Sequence, residues 1–309
     1  MTTPAQPAIQ SWTTARRRIE EHPADVSGAG RLGRSVHHDS RSLLYAWQRT
    51  GAAPVTVLHP RRIPILDQGD VGSCTGNAQV GALGSDPLIG TLPPFGPSLN
   101  EAEALRLYSA AETIDGDGPY PPNDNGSSGL SVCKAAKNAG LISGYTHCLS
   151  LADVLDALQS QPVIIGSNWY TSMDSPDTTG LVTIARGATV RGGHEYVCRG
   201  CDMEARLLHF DNSWGTGFGA GGSFSYSFDT MTRLLAEDGD GTVSVPLTQP
   251  APVPVPPAPV PVPPAPGPDT DPADLGLMDT GDPWAADHHV GANGRMQRAY
   301  LAWRKAKEG

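Results

Sequence analysis

Residues Asp67–Ala78 read DQGDVGSCTGNA: a glycine-rich turn delivers a cysteine, Cys74, to the start of a run of small and apolar residues reaching Gly84. The run suits a helix from about Cys74 to Gly84, because its small side chains let neighbouring elements pack closely. A thiol at a helix N-terminus meets unpaired N–H groups and the positive end of the macrodipole, which favour thiolate. The same N–H groups can hold an oxyanion. A buried cysteine at a helix start also arises from packing alone, so this stretch by itself leaves both readings open.

Two later stretches supply what a reactive thiol needs. Gly192-Gly193-His194-Glu195-Tyr196-Val197 puts a histidine at the mouth of a strand-like run, beside glycines that leave room for a substrate. Eighteen positions after His194 comes Asn212, within Asp211-Asn212-Ser213-Trp214-Gly215-Thr216-Gly217-Phe218-Gly219. An asparagine carbonyl can accept a proton from one imidazole nitrogen, which fixes the ring and turns the other nitrogen toward the thiol. A neighbouring tryptophan can keep water off that bond.

Gly72-Ser73-Cys74 with Gln68 upstream, then Gly193-His194, then Asn212-Ser213-Trp214-Gly215-Thr216-Gly217, resembles the papain-like cysteine peptidases. His194 and Asn212 follow Cys74 by 120 and 138 residues, in that family's order and near its usual separations. The likeness spans roughly residues 55–235. It implies an α+β fold of two lobes, a helical left lobe and an antiparallel β right lobe. Carried over residue by residue, it implies Cys74 as nucleophile with a depressed pKa and His194 as general base and then acid. Asn212 would orient His194 under the cover of Trp214, and the Gln68 side chain with the Cys74 N–H would form the oxyanion hole. Gly72, Ser73, Gly126, Ser127, Gly193 and Trp214 are the candidates for contacting substrate, Gly126-Ser127 standing where the family places a substrate-binding glycine pair. Three departures stand out. Val71 replaces a disulfide cysteine common in secreted members, and Gly193 replaces a polar residue. Thr75 replaces an aromatic; Ser-Cys-Thr looks more like the bacterial and bacteriophage branch.

Around these motifs the 309-residue chain divides into four parts. Residues 1–60 form a polar N-terminal arm with short helical patterns at about Ser11–Glu21 and Ser40–Arg49; no long inhibitory propeptide is recognisable, so the arm reads as integral. Residues 61–248 form the peptidase-like domain. Helices are expected at Ser98–Thr113, Leu130–Asn138 and Leu151–Gln159, with Gly140 as a C-cap. Strands are expected in PVIIGSNWY, GLVTIA, HEYVCRGCD, ARLLHFDNSW and GGSFSYSF. Helices first and strands later predict α+β. Residues 249–270 form a proline-rich linker: positions 250–268 hold 11 prolines, and at about 3.1 Å per residue a polyproline II spacer results. The competing reading of that run is a ligand for a proline-binding groove. Residues 271–309 form a tail with a helix at about Asn293–Lys307, expected to dock an assembly partner.

Composition narrows the function further. Net charge is −10 and no basic run exceeds Arg16-Arg17-Arg18, which argues against nucleic acid. No stretch approaches the roughly 18 apolar residues of a membrane span, and MTTPAQPAIQSWTTARRRIEEHP lacks a signal peptide's apolar core. Cytoplasmic synthesis is expected, with packaging into a virion open. Five cysteines, Cys74, Cys133, Cys148, Cys198 and Cys201, do not read as a disulfide framework; a Cys133–Cys148 bridge is left open, and Cys198-x-x-Cys201 lacks the second pair of ligands a zinc site needs. His37-His38 and His288-His289 read as solvated, and Glu237-Asp238-Gly239-Asp240 as an exposed turn without calcium-loop spacing. No metal or cofactor is called for. The expected function is a cysteine peptidase acting on protein or peptide; the alternatives are a docking or structural component that retains the fold, or a cell-wall peptide hydrolase.

Overall fold

The computed structural model describes residues 15–24 and 29–247. The proline-rich linker, the tail helix, His288-His289 and the start of the first arm helix lie outside those residues. Two hydrophobic cores lie under two lobes. In the left lobe, α1 (Cys74–Leu83), α2 (Glu101–Asp115) and α3 (Gly129–Asn138) enclose Val80, Leu83, Leu107, Ala111, Val132 and Ala136. α1 is buried on every side, which its many small residues permit: at Gly76 the helix closes on the Ala104 carbonyl of α2. Local chemistry sets the ends of the other two. Asn100 caps α2, accepting from the Glu103 N–H, and left-handed Gly116 stops it. Ser128 caps α3.

The right lobe is an antiparallel sheet. Its strands are β4 (Gly144–Cys148), β5 (Val163–Tyr170), β6 (Val190–Asp202), β7 (Leu207–Asp211), β8 (Ser223–Ser227) and β9 (Asp240–Val245). They lie in the order β4-β9-β5-β6-β7-β8. An aromatic core of Trp169, Tyr196, Phe210, Phe224 and Tyr226 fills one face, with helices α4 (Leu151–Ala157) and α5 (Phe228–Ala236) beside it. Between the lobes, Ala78 and Ala82 of α1 meet Ile164 and Val197 of the sheet. Among the described residues no helix is long and apolar enough to cross a membrane. The architecture is the expected α+β, with a left helical and a right β lobe.

Several local expectations change. Arg17–Arg18, inside the expected arm helix, is instead extended as β1, pairing with β2 (Ser35–Val36). Ser40–Tyr45 is a 3-10 turn capped by Asp39, not a longer helix. β3 (Val57–Leu58) joins the end of β6, so the arm supplies a sheet strand. GLVTIA forms no strand beyond a single bridge at Leu181, whereas α5, β4 and β9 were not expected. Gly140 follows the α3 cap, Ala139. Cys148 lies on β4 and forms no bridge to Cys133; all five cysteines are free and buried.

Candidate active site

Cys74 is the first residue of α1, which points it at β6 across the gap between the lobes. His194 sits on β6 and Asn212 just after β7. These neighbouring strands are paired at Val197↔Asp211, so two motifs 18 residues apart in sequence become neighbours in space. His194 Nε2 and Asn212 Oδ1 are 2.7 Å apart. The Ser213 N–H also donates to that oxygen, at 2.8 Å. Trp214 stacks on the imidazole at 4.8 Å and 28°, and Trp169 meets it edge-on at 5.0 Å. His194 is 0% exposed, and its second nitrogen, Nδ1, has no hydrogen-bond partner among the described residues. The thiol is reached by the N–H of Glu195, the residue after His194.

Gln68 is held by the loop that carries Asn212. Its N–H donates to the Ser213 carbonyl at 2.9 Å and its Oε1 accepts from Ser213 Oγ at 2.6 Å. That fixes the amide end, whose Nε2 donates to Val71 O and to Arg31 O at 2.7 and 3.1 Å. Gly72 is positioned by a link invisible in the sequence: Asp124 Oδ1 accepts both the Gly72 N–H at 3.0 Å and the Tyr108 hydroxyl at 2.6 Å. The same hydroxyl accepts the Gly126 N–H at 3.0 Å. Tyr108 therefore ties the Gly72 and Gly126 loops to α2.

The cleft is not empty. Residues Gly30–Val36 of the N-terminal arm run through it. Gly33 and Arg34 donate backbone N–H groups to the Gly193 carbonyl, at 3.2 and 2.9 Å. Ser35 donates to the Ser127 carbonyl, and Ser127 to the Gly33 carbonyl, at 2.7 and 2.8 Å. The Trp214 indole and the Gln68 amide both donate to the Arg31 carbonyl. Gly33 passes so close to the Gly72 carbonyl that a Cβ there would collide with it. Gln68, Gly72, Gly126, Ser127, Gly193 and Trp214 thus all meet the arm. Ser73 does not use its hydroxyl there; that group accepts from Asn77 inside the helix.

This covering decides the protonation states. Cys74 is 0% exposed. Burial, with the Glu195 carboxyl adding to it, pushes its thiol up to about 12 despite hydrogen bonds from the Glu195 and Gly33 N–H groups. Burial likewise drives the His194 imidazole down to about 3, against the opposing bond to Asn212. The depressed thiol pKa expected from the resemblance is absent, because a covered cleft desolvates both charged forms. In this arrangement the pair is neutral thiol and neutral imidazole.

Beside Cys74, Arg34 of the arm is buried against Glu195 and Asp240. Although burial raises carboxyl pKa values, Arg34 holds Asp240 below its ordinary value, while burial and the charge of Asp240 push Glu195 well above. Two expectations change here. The acidic run is no exposed turn: Asp240 lies on β9 with its side chain 14% exposed, and Glu237 binds the Tyr170 hydroxyl. Nor are His37 and His38 solvated: His37 lies 3.8 Å from Asp115 and His38 3.9 Å from Asp240. Sequence reasoning missed Tyr108, Asp124, Arg34, Glu195 and Asp240. Only Glu195 carried a signal, by standing next to His194.

No protein-family model matches the chain, and no curated protein sequence does. Among solved structures, the chain is similar to xylellain, a cysteine protease from Xylella fastidiosa, at 18% identity and a TM-score of 0.56, covering 77% of this chain and 100% of that one. The digestive procathepsin L 3 of Tenebrio molitor larval midgut aligns at 14% identity and a TM-score of 0.49, over 65% of this chain and 73% of that one. A Carica candamarcensis cysteine protease in complex with E-64 aligns at 15% and 0.43, over 60% and 93%. With its helical lobe, its antiparallel lobe and the cleft between them, the chain has an α+β, two-lobed papain-like fold, shared with xylellain.

Proposed function

We propose that the chain is a cysteine peptidase that hydrolyses peptide bonds through an acyl-enzyme on Cys74. The carrying observation is the His194–Asn212 bond, buried under Trp214, on a strand whose next N–H touches the Cys74 thiol. The thiol proton passes to His194 Nδ1 as sulfur adds to the scissile carbonyl carbon. Charge on the carbonyl oxygen develops against Gln68 Nε2 and the Cys74 N–H. His194 then gives its proton to the leaving amine as the C–N bond breaks. Water, losing a proton to His194, cleaves the thioester and frees the enzyme. Ser127 and Gly193 bind the substrate backbone through the same polar groups that now hold the arm, with Gly126 beside them.

The test is hydrolysis of casein or a peptide library by the full chain and by its Cys74→Ala variant. Cleavage must disappear in the variant; cleavage unchanged by the substitution overturns the mechanism. A second reading, a docking component that keeps the fold without turnover, is favoured by the filled cleft and the fully covered thiol. It prevails if neither the full chain nor a variant with a displaced arm hydrolyses any peptide.

A further inference from the structure

Beside Cys74 lies a cluster of three ionisable groups that have no part in that mechanism: Arg34, Glu195 and Asp240. Arg34 follows Gly33, whose N–H reaches the Cys74 thiol. Its side chain is 0% exposed and enters a recess between the lobes. There Nη2 donates to the Asp238 carbonyl at 2.8 Å and to the Asp240 carboxylate, and Nε lies 3.6 Å from Glu195 Oε2. The recess exists because residue 166 of β5 is glycine: a Cβ there would collide with Arg34 Nε and with Glu195. Gly129, at the start of α3, leaves the same room on the opposite wall.

Two carboxyls side by side in a buried recess are unfavourable unless a cation stands between them. A cavity made for apolar side chains needs neither. The fit of the present occupant is also incomplete. Arg34 Nε and Nη1 and both Glu195 oxygens make no hydrogen bond among the described residues. A guanidinium has five donors in a rigid fork that matches carboxylates two bonds at a time. An arginine entering along a different backbone path can satisfy groups that Arg34 leaves unpaired.

We infer that Glu195 and Asp240 form a specificity pocket for the arginine side chain of a peptide substrate, which Arg34 fills in the resting chain as a pseudosubstrate. This rests on the peptidase reading of the same cleft. Gly33 meets the thiol and the next residue fills the pocket, so the substrate arginine lies within about two residues of the scissile bond. Lysine, a compact point charge, spans the two carboxyls less well, and citrulline keeps the shape without the charge.

The test compares acetyl-Leu-Arg-Gly-amide with its citrulline counterpart on the full chain. With the unaltered chain, the arginine peptide displaces the arm and raises amide hydrogen exchange at residues 30–36 at least tenfold; the citrulline peptide does not. The Arg34→Ala chain gains thermal stability from the arginine peptide alone, and adding Glu195→Gln or Asp240→Asn weakens that binding at least tenfold. Should Arg34→Ala not fold, the exchange measurement on the unaltered chain decides. Equal responses to the two peptides, or no response to either, overturn the pocket. Hydrolysis scores the peptidase reading separately. Cleavage that needs Cys74 but ignores arginine sinks only the pocket, whereas arginine binding without Cys74-dependent cleavage sinks only the peptidase.

Discussion

His194 Nε2 bonds Asn212 Oδ1 at 2.7 Å, and the other ring nitrogen is left without a hydrogen-bond partner among the described residues. One bond thus fixes both the rotation of the ring and which nitrogen is available to a thiol. The Trp214 stack excludes water that would compete for it.

Asn212→Ala removes that orientation while leaving sulfur and imidazole in place. Turnover should fall roughly 100-fold, as for a reacting group displaced by about an ångström, with KM little changed. Steady-state kinetics on one peptide checks this. An unchanged kcat would mean that Trp214 and Trp169 alone hold the ring.

In the proposed mechanism Gln68→Ala removes a donor to the developing oxyanion, and kcat should drop roughly 10²–10³-fold. Gln68→Glu, which keeps the shape and loses the donor, should do nearly as much. If either variant raises KM alone, Gln68 serves ground-state binding instead.

Gly33→Val puts a side chain where the Gly72 carbonyl already stands. The arm should lift, exposing Cys74, and iodoacetamide should react with it at pH 7 at least about tenfold faster than in the unaltered chain, as expected when local opening limits access. The melting temperature should fall slightly at the same time. An unchanged alkylation rate would show that the thiol is reached by another path.

The candidate set was legible in the sequence because each member has a local signature: a glycine turn before Cys74, glycines before His194, and Asn212 next to a tryptophan. The helical lobe was legible for a related reason, since caps such as Asn100 and Ser128 act within a few residues. What covers the site was not. Residues 30–36 show no periodicity, because backbone bonds to Ser127 and Gly193 hold them in place of an apolar face. Asp240 read as part of an exposed turn because its partner, Arg34, lies some 200 residues away in sequence. β1 replaced an expected helix for the same reason: its pairing with β2 is supplied by tertiary contact.

Acid should destabilise the fold. Burial lowers His147 to about 4 and His194 to about 3, so both folded pKa values lie below the unfolded value of about 6.5. As pH falls below 6.5 the unfolded chain takes up protons first, and stability is lost from there down to about pH 4 for His147 and pH 3 for His194. Melting temperature should fall on the order of 10 °C between pH 7 and pH 4. A flat profile across that window would mean the two rings are solvated.

The most direct test of the central claim is the site of covalent capture. The full chain and its Gly33→Val variant are treated with an epoxysuccinyl peptide at pH 6, and the adduct is mapped by mass spectrometry. In the unaltered chain all five cysteines are buried, so access alone does not single one out there. The predicted result is modification of Cys74 alone, faster in Gly33→Val and lost when His194→Ala is added. Label spread over Cys133, Cys148, Cys198 and Cys201 as well, or an adduct on Cys74 indifferent to His194, would contradict it.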